Sequence, residues 1–150
     1  MGSEMCIRDR SEVMGYFNPS TINTTLYNIV LDKKIADDVY KVQRPASVDD
    51  KVTSFIVVNN NTRIVSNTES GPYGHFGKGE TMATVTLFVR ALPGNVYPSV
   101  MDALSEKMVE LFPQKTVQLH FEIFNVLPPM FDGVGFYYMS VLLNVDISKD

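Results

Sequence analysis

Three features predict an α+β domain, a mostly antiparallel β-sheet with two α-helices packed on one face. Two segments repeat apolar residues at helical spacing, near residues 20–33 and 98–112. Residues 81–91 and 137–147 alternate between apolar and mixed positions, as strands covered on one side do. The chain has 150 residues, 45% hydrophobic and 20% charged, enough for one core without staples.

Residues 1–13 show neither periodicity nor the apolar run of a secretory signal. They read as a non-native or disordered leader, with residues 14–150 forming a single domain. The first helix starts at Asn18-Pro19-Ser20-Thr21, carries Ile22, Leu26, Ile29 and Val30 on one face, and ends near Lys33-Lys34. Residues 39–42 form a short strand, followed by a polar link through Pro45 and Asp49-Asp50. Residues 53–58 are β-branched and aromatic. A turn at Asn59-Asn60-Asn61 predicts their pairing with residues 62–66 as a hairpin.

Residues 67–80 form a long glycine-rich loop, and Thr81 opens the clearest strand. The second helix begins at Pro98. It aligns Met101, Leu104, Met108 and Leu111, with Val100 and Phe112 widening the stripe, and stops at Pro113. Two strands close the chain, joined by a loop from Asn125 to Gly135.

Chemistry finds little support along this chain, which is read as a non-enzyme without catalytic, cofactor-binding or metal-binding residues. In the stretch Gly71 to Gly79, Lys78 is followed by Gly79 and a strand, so the helix a phosphate loop requires is missing. His120 and Glu122 share a strand face and read as a surface pair rather than a metal site. A single cysteine leaves no disulfide framework. The net charge of −4 argues against a protein built to grip phosphates. No run is long enough for a membrane helix.

Apolar residues in long loops are the unusual feature. Pro72, Tyr73, His75, Phe76 and Lys78 lie in one, and Leu127, Met130 and Phe131 in the other. A lone monomer gains little by displaying such residues, so they are candidate assembly contacts, the alternative being that the loops fold back on the domain's own core. Met82, Phe88, Phe136 and Tyr138, on the sheet face expected to meet water, add to that reading.

The order of pieces resembles the bacteriophage tail terminator, or tail completion, family. These pieces are a first helix leading into Ile35 to Tyr40, a proline-containing link to Phe55 to Val58, the strand Ala83 to Arg90, the helix Pro98 to Phe112, and a closing strand Gly135 to Ile147. The resemblance implies a structural virion protein that caps the tail tube as a ring, joins it to the head connector and ends tail polymerisation. It further implies a hexamer of self-copies, tail-tube and connector proteins as partners, and DNA only as cargo passing an acidic channel. The location implied is the virion neck, with assembly in host cytoplasm. The alternatives are a small-molecule enzyme or ligand-binding α+β domain, or another neck or baseplate protein.

Overall fold

A computed structural model describes residues 20–60, 65–66 and 78–148. The α+β architecture is as the sequence predicts. In chain order the elements are α1 (Ser20–Lys33), β1 (Asp38–Lys41), β2 (Ser54–Asn60), β3 (Val65–Ser66), β4 (Lys78–Arg90), α2 (Val100–Glu110), β5 (Gln114–Lys115), β6 (Leu119–Val126), β7 (Met130–Phe131) and β8 (Phe136–Ser148). The strands form one sheet in the order β1-β2-β4-β8-β6-β5. In addition, β3 lies on β4 and β7 on β8. Only the β1–β2 pair is parallel among the described strands.

The long strands β4 and β8 pair along their whole lengths, from Lys78 opposite Ser148 to Arg90 opposite Phe136. Their alternation sends Ala83, Val85, Leu87, Val89, Met139, Val141, Leu143 and Val145 to one face, where α1 and α2 pack. From α1 come Ile22, Leu26 and Val30; from α2 come Met101 and Met108, all fully buried. Each such side chain contributes about 1.5–3 kcal/mol through removal from water. This packing holds α1, whose threonines and asparagines are weak helix formers. Val100 departs from the expected stripe and is exposed, whereas Phe112 is buried.

Two expectations need correction. Among the described residues, the expected hairpin between residues 53–58 and 62–66 is not found, residues 62–64 lying outside them. Strand β2 pairs with β1 on one edge and β4 on the other, and β3 pairs with Gly79 and Glu80 of β4. With both edges occupied, β2 has no edge left for β3. Its run Ser54-Phe55-Ile56-Val57-Val58 is buried throughout, the mark of a central strand covered on both faces.

The second correction concerns the sheet's other face, which is buried at one end although Glu122, Asn144 and Asp146 remain exposed on it. Phe55, Val57, Phe88 and Phe136 form a second buried cluster there, packed by Tyr40, Val48, Val52 and Tyr138. Phe55 stacks on Phe88 with ring centres 4.6 Å apart and meets Phe136 edge-on at 5.4 Å. Phe88 and Phe136 are therefore internal contacts, covered in part by the strap of residues 42–53.

Candidate assembly surface

Strand β6, β7 and β8 together make one long hairpin. Strand β6 runs beside β8 with a bulge at Phe124, between the pairs Ile123–Leu143 and Asn125–Leu142. The Leu127 N–H still donates to the Ser140 carbonyl at 2.9 Å. Pro128-Pro129 then interrupts the ladder, having no N–H to give, and β7 resumes it opposite Tyr138 and Tyr137. The hairpin turns at Asp132 to Gly135, where Gly133 and Gly135 take φ of 83° and 100°. Asp132 Oδ1 shapes the turn by accepting the N–H groups of Val134 and Phe136 at 2.7 and 3.0 Å.

The part of this hairpin predicted to display apolar residues does so. Leu127 and Phe131 are exposed, Met130 is 55% exposed, and Phe124, Val126 and Val134 join them. No charged residue interrupts the chain between Glu122 and Asp132. Phe131 lies against Tyr137, which meets Tyr97 edge-on and donates its hydroxyl to the Asn95 carbonyl at 2.8 Å. This aromatic group carries the apolar surface from the hairpin toward the turn before α2, where Leu92 and Val96 are also exposed. Pro72, Tyr73, His75 and Phe76 lie outside the described residues, and Lys78 takes the first position of β4. Lys78 pairs with Ser148, at the end of β8 away from Met130 and Phe131, so the candidate residues that are described do not form one surface.

The hairpin is fixed to the rest of the sheet by Arg44, which the sequence reading missed. Its Nη1 donates to Asp132 Oδ2 at 2.8 Å, and its guanidinium lies over Phe88, Phe55 and Phe136 at 4.7, 5.7 and 5.7 Å. Arg90 also lies over Phe136, 4.7 Å from its ring centre, and donates to the Val52 and Asp49 carbonyls, which pins the strap. Burial pushes the Asp132 carboxyl pKa up, but Arg44 and the two turn N–H groups outweigh it and hold the group below its ordinary 3.8. Such a carboxylate stays ionised and makes a poor general acid or base.

Clefts of about 220 and 500 Å³ flank Arg44 on either side of the strap. His120 Nε2 stands 3.8 Å from Glu122 Oε2 at the surface, the pair expected from sequence. No group of three potential metal-binding side chains comes together among the described residues. Nor is any described helix long and apolar enough to cross a membrane.

Sequence gave no spacing signal for Arg44, since its partner lies 88 residues away. A second missed residue is Val42, a β-branched residue at φ 77° that ends β1. The Gln43 N–H donates across it to the Lys41 carbonyl at 2.9 Å, closing a tight three-residue turn.

Fold and surface together define an α+β domain whose sheet is covered by helices on one face and in part by a strap on the other, and whose apolar hairpin edge is bare. No protein-family model matches the chain, and no curated protein matches it.

Proposed function

We propose that this protein is a structural assembly subunit of a bacteriophage tail, closing the tail tube as a ring and joining it to the head connector. The observation that carries this reading is the uncharged, exposed stretch from Phe124 to Phe131, held out on a hairpin anchored by Arg44. A rigidly held apolar edge is suited to being covered by another protein chain. The resemblance in element order supplies the particular setting, and the acidic net charge suits a channel through which DNA slides. Chemistry is not part of the proposed role.

The cleft between Arg44 and Arg90 is the observation that favours a small-molecule site instead. Its two guanidinium groups are already engaged, one by Asp132 and one by loop carbonyls, so assembly remains the stronger reading. Co-incubation with growing tail tubes of the same phage tests the proposal. The expected result is a ring at one tube end and an arrest of growth, both lost in a Met130→Ser/Phe131→Ser variant that keeps its fold. Tubes that keep growing, with no protein bound at their ends, would contradict it.

A further inference from the structure

The register across the sheet places its two outer edges level with each other. Lys41 lies opposite Val58, which continues through Val85 and Val141 to Val126. Asp38 continues in the same way through Phe55, Phe88 and Tyr138 to Met130. Edge β1 and the edge from Val126 to Met130 are therefore at the same height, on opposite sides of the molecule. Among the described strands, none pairs with the outer side of β1, of β7, or of β6 beyond Phe121.

From these edges we infer that β1 of one copy pairs with the Val126–Met130 edge of a second copy, extending the sheet from subunit to subunit. The inference rests on the ring reading above and supplies its contact.

Direction supports the match. β1 runs parallel to β2, and each step from β2 through β4 and β8 to β6 reverses direction, so β1 and β6 are antiparallel. A rotation that lays one copy beside the next, with the helices on the same side, sets β1 antiparallel to the neighbour's β6. Because the edges are level, the step needs no rise along the strands, which is the condition for a closed ring rather than a filament.

Faces match too. Lys41 and Val126 belong to the helix-side row and Asp38 and Met130 to the other, so like sides meet. Pro128 and Pro129 offer carbonyl acceptors but no N–H, so backbone bonding there is sparse and apolar contact contributes the rest. The bulge and prolines restrict the edge to a short partner, and β1 has four residues. Val42, exposed directly after β1, extends the apolar surface at that end of the edge.

A charge exchange across the proposed seam tests this, read by sedimentation velocity over a concentration series, with and without tail tubes. Val126→Lys sets a second cation beside the neighbour's Lys41 and is expected to weaken self-association about tenfold or more. Adding Lys41→Glu to the same chain is expected to restore it to within about threefold of the unaltered protein. Within one chain the two positions are four strands apart, about 19 Å, so repair inside a monomer cannot account for the rescue.

Unweakened assembly of Val126→Lys, or loss without rescue, would overturn the seam while leaving the ring reading intact. An unaltered protein that stays a single copy throughout, on tubes as well, would overturn both. Should Val126→Lys fail to fold by circular dichroism, the pair Met130→Asp and Asp38→Lys makes the same test at the other end of β1.

Discussion

Arg44 and Asp132 join the strap to the hairpin tip across 88 residues of chain, through a 2.8 Å hydrogen bond between a half-buried guanidinium and a carboxylate whose side chain is 6% exposed. This contact does two things. It closes the second aromatic cluster, because the guanidinium covers Phe88 and its neighbours. It also fixes the hairpin that carries Met130 and Phe131, so the apolar edge is presented in one position.

Replacing Arg44 by leucine is expected to be costly. It leaves Asp132 buried without its counter-ion and removes the cation from three rings. Breaking such a pair typically costs about 3–5 kcal/mol. The lower half of that range applies here, because the two turn N–H groups remain and Arg44 is partly in solvent. A thermal midpoint lowered by roughly 6–16 °C is expected in calorimetry at neutral pH.

Acid should affect the same contact. Asp132 has a depressed pKa in the folded state, so its contribution to stability is complete above the ordinary value of 3.8 and is lost as pH falls through the lower folded value. In Asp132→Asn that contribution is absent at every pH. The stability difference between the unaltered protein and the variant is therefore expected to be largest near neutrality and to shrink below about pH 4. Denaturant titrations at a series of pH values measure it; a difference independent of pH would contradict the ion pair's role.

Val42→Gly separates strain from assembly. A β-branched residue at φ 77° is under backbone strain that glycine does not feel, while glycine loses more freedom on folding. The net effect is a gain of about 1 kcal/mol in unfolding free energy, from about 1–3 kcal/mol of strain removed against about 0.5–1 kcal/mol of added entropy cost. The same change removes an exposed apolar side chain from the end of β1. Urea unfolding should show a more stable monomer, while sedimentation shows weaker self-association.

Much of the fold could be read along the chain because its signals are local. The stripe Met101, Leu104, Met108, Leu111 and the alternation from Thr81 to Ala91 each declare an element and its buried side. What escaped was partner choice. Nothing local says that β2 will take β1 and β4 and exclude β3, because that depends on which strands are left to cover both faces of Phe55 to Val58. The apolar hairpin residues Leu127, Met130 and Phe131 are visible in the sequence as apolar side chains in a long loop around Pro128-Pro129. Arg44 did not, because an arginine before a proline in a polar link looks like any solvated cation until the fold brings Phe88, Phe136 and Asp132 beneath it. Phe88 and Phe136 look outward-facing in the sequence for the same reason: their cover comes from a strap distant along the chain.

Amide hydrogen exchange on the isolated protein and on the protein assembled at tube ends addresses the bare edge most directly. The account predicts that the amides of residues 124–127 and 130–131 exchange more slowly in the assembly, together with those of β1, while the buried centre of β4 is unchanged. Equal exchange at both edges in the two states would contradict it.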